Sequence, residues 1–355
     1  MKLLLPAALA ATALIPTDGA ELATRYAAGQ AYTVRREVAE TRTTEREMLR
    51  NGEPMDRGGF GGGGGDVTRE SLIEYTDQLL EVGEGPTKLR RAFGDLSSSF
   101  LLNAGGEDLE RAMESPFEEL VLELTLGDAG LEVEVLEGEE PDGERLADLR
   151  LDLFVDGLLP GREVDVDDTW EVDADAIAAA LGSDLERQLF QMPELDEEAG
   201  GRGGRGGRGG RGGFGGGRGE QEPVEFEWTG TATVTDLAAD HEGRPVIAIG
   251  LELEASGDLP EIEFGGGGRG GRGGGNAFDR AVERALDNTY THELEGQLLF
   301  DPELGLPVLL ELSGTLNTER YIERDRGDML IEITVNTSSA VDHVITIEPT
   351  EVEED

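Results

Sequence analysis

Apolar and polar residues alternate with period two along much of this chain, the spacing of a strand that buries one face. Leu120, Leu122, Leu124 and Leu126 alternate with polar residues or valine, and the pattern resumes at Leu131, Val133 and Val135 after Gly127-Asp128-Ala129-Gly130. A glycine-bounded break between two such runs predicts a β-hairpin. The second half repeats the theme. Residues 226–257 read as two strands about His241-Glu242-Gly243-Arg244, and 292–322 as two more about Asp301-Pro302-Glu303-Leu304-Gly305. Residues 328–349 read as one long or two short strands, with Ile331, Ile333 and Val335 on one face and Glu332 and Thr334 on the other. Successive hairpins with short loops predict an antiparallel meander.

Other segments need the turn residues to decide them. Between Ala28 and Asn51, Tyr32, Val34, Arg36 and Val38 share a strand face, so a long, mostly exposed strand is expected. Residues 71–82 and 87–100 flank Gly83-Glu84-Gly85-Pro86. The first flank also fits helical spacing through Leu72, Tyr75, Leu79 and Leu80, but the punctuation favours a hairpin. Asp173 is placed to cap an alanine-rich helix over 173–192 that is interrupted at Gly182, and 276–288 reads as a second short helix. The two halves also share a short pattern. Asp142-Gly143-Glu144-Arg145 and Glu242-Gly243-Arg244-Pro245 read as hairpin turns, each followed by an apolar strand and a Leu-Pro pair, Leu159-Pro160 and Leu259-Pro260.

Three glycine tracts cut across this pattern: Gly58–Gly65, Gly200–Gly219 and Gly265–Gly275. They bury no apolar surface to offset chain entropy and are expected to be disordered. The chain then divides into 21–199, an N-terminal β-rich lobe with a loop at 58–65, and 223–349, a C-terminal antiparallel lobe with a loop at 265–275. A Gly/Arg-rich linker at 200–222 joins them, and an acidic tail follows at 350–355. The expected fold is mainly β: antiparallel curved sheets of long hairpins, a few short helices and disordered glycine-rich loops.

Charge sharpens this division. The net charge is −47 over 355 residues, yet two tracts hold Arg202, Arg205, Arg208, Arg211, Arg218, Arg269 and Arg272 with no carboxylate among them. Removing these seven positive charges takes the remainder from −47 to −54. A body so acidic repels nucleic acid and anionic lipid at long range, so neither is expected as a partner. The tract resembles the arginine-glycine boxes of RNA-binding proteins, but only Phe214 interleaves as a stacking residue. The tract is expected to serve as a flexible linker, and self-docking of its arginines onto acidic surface is the alternative that this charge layout allows.

The N-terminus carries Lys2, an apolar run from Leu3 to Ile15 and small residues near Gly19–Ala23, the outline of a signal peptide over 1–20. Export to the periplasm or exterior as a soluble protein is expected, with no membrane span, since no second apolar stretch follows.

Candidate chemistry is sparse. The absence of cysteine excludes disulfides, thiol catalysis and thiolate metal sites. His241, His292 and His343 sit in or beside separate predicted strands, and His292-Glu293-Leu294-Glu295-Gly296 lacks the second histidine of a zinc-protease helix. Asp165, Asp167 and Asp168, followed by Asp173 and Asp175, are weak candidates for a hard cation. They fail the calcium-loop pattern, because Trp170 occupies its glycine position and Ala176 its closing glutamate. There is no Gly-x-Ser-x-Gly elbow and no phosphate-binding loop. No cofactor is expected.

Leu159-Pro160, continuing through Val164-Asp165-Val166-Asp167-Asp168-Thr169-Trp170, resembles the Leu-Pro…Val-x-Val-Gly-Asp-x-Trp strand of uncharacterised exported bacterial β-rich proteins, with Asp167 in place of the usual glycine. The hairpin at Glu295–Asp301 is also similar. The resemblance implies a β-rich architecture akin to the curved half-barrels of lipoprotein carriers, and no activity. Trp170 is expected to plug the core at a strand end. The functional expectation is an exported, acidic, non-enzymatic binding or envelope-associated component. The alternatives are a half-barrel carrier of an apolar ligand or lipoprotein, and a hydrolase whose carboxylates do not stand out.

Overall fold

The computed structural model describes residues 19–54, 66–104, 107–127, 129–146, 149–191, 226–259, 282–325 and 330–350. The elements in chain order are β1 (Ala20–Leu22), β2 (Ala31–Arg50), β3 (Glu53–Pro54), β4 (Asp66–Val82), β5 (Pro86–Ala104), β6 (Glu107–Met113), β7 (Val121–Gly127) and β8 (Gly130–Glu137). Helix α1 (Gly143–Leu146) and a 3-10 turn at Asp156–Leu158 precede β9 (Arg162–Val164), β10 (Thr169–Val172), α2 (Ala174–Leu181) and α3 (Ser183–Leu189). The last five are β11 (Trp228–His241), β12 (Arg244–Asp258), β13 (Val282–Asp301), β14 (Leu306–Asp325) and β15 (Leu330–Pro349).

The protein is mainly β. One 13-stranded sheet runs β10-β11-β12-β13-β14-β15-β2-β4-β5-β7-β8, with β3 beside β2 and β6 beside β5, and a separate ribbon pairs β1 with β9. Every pairing of sequence neighbours is the antiparallel meander that the alternating pattern predicts. The long-range step is β15 against β2, paired without a register break from Ile331↔Arg50 to Pro349↔Tyr32. This seam carries the sheet across the 200–222 boundary drawn from the sequence.

Strands β2, β13, β14 and β15 are each 20 residues long, about 66 Å at the usual rise and several times the common strand length. Their alternation decides which face is covered. On the packed face lie Tyr32 and Val34 of β2, Ile73 and Leu79 of β4, Leu89 of β5, Ile249 and Leu251 of β12, Leu298 of β13, and Ile345 of β15, all in one buried cluster. The segment from Leu146 to Leu158 and helices α2 and α3 complete that cluster with Leu153, Val155, Leu158, Ile177, Leu185 and Leu189. On the opposite, open face the described residues form a small apolar cluster of Val246, Ala248, Leu299, Val308 and Leu309.

The N-terminal stretch is tied to the covering layer. Thr24 Oγ1 donates to Asp156 Oδ1 at 2.6 Å, the Tyr26 hydroxyl donates to the other Asp156 oxygen, and Leu153 N donates to the Tyr26 hydroxyl at 3.1 Å. Helix α2 is anchored by Arg36, whose Nη1 donates to Ala180 O at 3.0 Å. Glu186 of α3 accepts from Arg69 Nη2 at 2.7 Å and from the Ser71 hydroxyl.

Two sequence expectations are corrected. Residues 282–288 are strand: Val282↔Asp325 through Leu286↔Tyr321 pair with β14, and that ladder overrides a locally helical spacing. Asp142-Gly143-Glu144-Arg145 is not a hairpin turn, since 143–146 form helix α1 and no strand follows until β9. The match between the halves therefore fails at this point. The alternative of a helix over 71–82 fails as well, because that segment lies wholly within β4. The residues expected to be disordered, 58–65, 200–222 and 265–275, lie outside the described residues, as do 1–18 of the signal peptide and most of the acidic tail.

Candidate binding face

The alternation that fills the packed face with Leu and Ile places glutamate on the open one. Leu251-Glu252-Leu253-Glu254 of β12 and Glu293-Leu294-Glu295 of β13 each bury leucine and expose carboxylate. Register then brings like charges together. Glu252 pairs with Glu295 and Glu254 with Glu293, directly opposite across neighbouring strands. Directly opposed like charges destabilise a sheet.

Two rows extend from these pairs. One runs Glu171–Thr231–Glu252–Glu295–Ser313 and the other Thr229–Glu254–Glu293–Thr315, crossing β10 to β14. Together they line a depression of about 800 Å³, which includes five glutamates and, among the described residues, no lysine or arginine. Two smaller depressions, about 400 and 440 Å³, lie farther along the same face, and both have predominantly polar side chains.

Glycines shape the backbone behind these rows. A Cβ on Gly314 would overlap the Glu293 carbonyl, and one on Gly296 would overlap the Glu311 carbonyl. A Cβ on Gly230 would approach Leu253 Cδ2 to 2.6 Å and Ile177 Cδ1 to 2.9 Å. Glycine at such positions lets a strand bend closely past its neighbour. Gly230 and Gly314 both line the depression, so these close approaches lie at the hollow.

The sequence-predicted residues fall elsewhere. Asp165, Asp167 and Asp168 form the turn between β9 and β10. Asp168 Oδ2 accepts from Asp165 N at 3.1 Å and pairs with Arg162 at 3.4 Å, while Asp167 takes φ 68° and donates its N–H to Val234 O. That carboxylate is engaged by the turn itself. No group of three or more His, Asp or Glu poised to hold a metal occurs among the described residues. Trp170 packs against the core and donates Nε1–H to Leu158 O at 3.0 Å. The seven tract arginines, Arg202, Arg205, Arg208, Arg211, Arg218, Arg269 and Arg272, lie outside the described residues.

The histidines do not converge with the acids. His241 ends β11 at a hairpin tip, whereas His292 and His343 are buried on the packed face. His292 sits among Phe226, Trp228 and Tyr290, with ring centroids 4.8 Å from Trp228 and 5.6 Å from Phe226. Burial pushes His292 down to about 4. Burial, Arg36 and His292 together push His343 down to about 3. Both are therefore neutral core histidines at neutral pH. Asp156 is raised to about 6, chiefly by burial. It belongs to the N-terminal anchor with Thr24 and Tyr26.

Sequence reasoning missed Glu252, Glu254, Glu293 and Glu295. The Leu-Glu alternation was visible, but which glutamates stand opposite each other depends on a register that local patterns do not specify.

No known family matches the chain, and no curated protein is significantly similar to it. Among solved structures the chain is similar to one from a study of lipid–protein interactions in lipovitellin, at 6% identity and a TM-score of 0.31. The alignment covers 93% of this chain and 26% of that one, so the present chain spans about a quarter of the lipovitellin chain's length. A likeness at this level carries no argument about function.

Proposed function

We propose that this protein is an exported binding component that receives a cationic ligand on the open face of its sheet. The observation that carries the reading is the pairing of Glu252 with Glu295 and of Glu254 with Glu293 in a depression that no basic residue lines among the described residues. A positive ligand would turn this repulsion into attraction, so the arrangement makes physical sense as a receiving surface. A carrier of apolar ligands needs an open apolar concavity. Here the apolar side of the sheet is occupied by Leu153, Leu158, Ile177, Leu185 and Leu189 from the covering segments. The open face is the surface left for a ligand. No helix among the described residues is long and apolar enough to cross a membrane, and the signal-like N-terminus supports export.

The test is calorimetric titration with a nona-arginine peptide at low salt. Replacing Glu252, Glu254, Glu293 and Glu295 with glutamine should weaken binding by about tenfold or more, since each exposed pair contributes roughly 0.2–1 kcal/mol. Equal affinity in both proteins would overturn the reading.

A further inference from the structure

We propose that the acidic depression is the docking surface for the chain's own Gly/Arg tract, Gly200–Gly219. This rests on the reading of the open face as a cation-receiving surface and adds the identity of its occupant.

The charges are complementary and segregated. Among the described residues, the depression presents Glu171, Glu252, Glu254, Glu293 and Glu295 without a basic residue. The tract presents Arg202, Arg205, Arg208, Arg211 and Arg218 without an acidic one. Neither set has its counter-charge within its own segment, and each supplies what the other lacks.

Connectivity places the tract beside this surface. The chain leaves the tract and enters β11 at Trp228, and both Trp228 and Thr229 line the depression. Arg218 lies ten residues before Trp228, and ten extended residues reach about 35 Å. A tether of this kind gives an effective concentration in the millimolar range, so individually weak contacts act together. The tract is also suited to lie along a sheet. Between its arginines it is almost entirely glycine, with no side chains to hold the backbone away from the surface. Its arginines recur every third residue from Arg202 to Arg211, about 10 Å apart when extended, close enough for successive arginines to address both glutamate rows.

The experiment exploits the absence of cysteine. Nitroxides are placed through Phe214→Cys in the tract and Thr315→Cys at the edge of the depression, and interspin distances are measured in the full chain by pulsed electron resonance. A short-distance population is expected at about 0.02 M salt and should be lost at about 0.5 M, where the screening length is about half its physiological value. It should also be lost when Glu252, Glu254, Glu293 and Glu295 are glutamine, and separately when the five tract arginines are serine. A distance distribution unchanged by salt and by both sets of substitutions would overturn the proposal. Loss of the short population on dilution with unlabelled protein would place the contact between copies and overturn docking within one chain. Nona-arginine titrated into the five-serine variant separates this proposal from the reading beneath it. Peptide binding without a short-distance population in the parent overturns the tract as occupant and leaves the cationic-ligand reading standing. Failure of both overturns both.

Discussion

Asp77 and Arg91 face each other across β4 and β5, each 1% exposed and joined by two hydrogen bonds of 2.7 Å. The Arg91 guanidinium also lies 4.2 Å from the centre of the Tyr75 ring. An ion pair so buried adds little net stability over apolar residues, because desolvation offsets most of the attraction. Breaking it on one side is a different matter. Asp77→Ala leaves a buried, uncompensated guanidinium and should cost about 3–5 kcal/mol, whereas the double change Asp77→Leu with Arg91→Met should recover most of that. Denaturant unfolding of the three proteins checks this. An Asp77→Ala midpoint equal to the parent's would show that the pair is not buried as described.

Arg36 and Gly182 make a second interdependent pair. Gly182 ends α2 at φ 57°, and a Cβ there would overlap the guanidinium of Arg36, which donates to Ala180 O. Glycine is required both by the left-handed backbone and by the space that Arg36 fills. Gly182→Ala should destabilise by about 1–3 kcal/mol. The informative comparison is Gly182→Ala with and without Arg36→Met, which empties the space a Cβ at 182 would need. Relief of the Gly182→Ala penalty in the double variant, seen in melting curves, is the expected result. Simple additivity would show that only the backbone strain matters.

What could be read locally from the sequence was read well. The Asp173 side chain accepts from Asp175 N at 2.9 Å and Gly182 caps the end of α2, where a capping residue and a glycine mark a helix's limits. Glu242 and Gly243 both take positive φ in the β11–β12 turn, as a two-residue hairpin loop demands. Tyr32, Val34 and Arg36 do share a buried face. The hairpin-turn reading of Asp142–Arg145 failed locally, since 143–146 form helix α1; the other failures come from pairing at long range. Residues 282–288 have helical spacing taken alone, and only the β14 ladder makes them strand. The β15–β2 seam joins chain ends that no local pattern connects. The open-face glutamates follow the same logic, since a one-residue slip in β13 would have put Leu294 outside and Glu293 in the core.

The two buried histidines set an acid limit on stability. With His292 at about 4 and His343 at about 3 in the folded state, the unfolded chain takes up protons near 6.5 while the folded one does not. Their contribution is complete above about pH 6.5 and is lost as pH falls through 6.5 toward 4 and then 3. Asp156, raised to about 6, acts in the opposite sense, favouring the folded state at lower pH. His292→Phe, which keeps the ring among Phe226, Trp228 and Tyr290, isolates the histidine contribution. Melting temperature measured from pH 7 to pH 4 should fall less steeply in this variant than in the parent. Parallel profiles would rule out His292 as a source of the acid slope.

The close approach of β14 to β13 behind the depression depends on Gly314. Its Cβ would overlap the backbone carbonyl of Glu293, a group held in a ladder and unable to move aside as a side chain can. Gly314→Ala should therefore cost more than Gly250→Ala. At Gly250 the nearest atom to a new Cβ is a Thr235 methyl at 3.4 Å, so only the ordinary strand change from Gly to Ala is at stake. The comparison is made by denaturant unfolding of both variants. A Gly314→Ala protein as stable as Gly250→Ala would mean that β13 and β14 approach less closely than the geometry requires.

The same glutamates that make the open face attractive to a cation should weaken the fold that carries them. Glu295 stands directly opposite Glu252 and beside Glu293 on the same strand face, with no basic residue lining the depression among the described residues. Replacing Glu295 with lysine converts an opposed like pair into an opposite pair, and cross-strand pairs of this kind are worth roughly 0.2–1 kcal/mol. Glu295→Lys should raise the melting temperature at low salt and at the same time weaken nona-arginine binding. Salt supplies the internal control. Screening relieves repulsion in the parent and weakens attraction in the variant, so added salt should stabilise the parent relative to Glu295→Lys and bring the two melting temperatures together. A Glu295→Lys protein that melts below the parent at low salt would show that the carboxylate pair is not under the repulsion its register implies. Without that repulsion, the argument that these glutamates await a positive partner loses its physical basis.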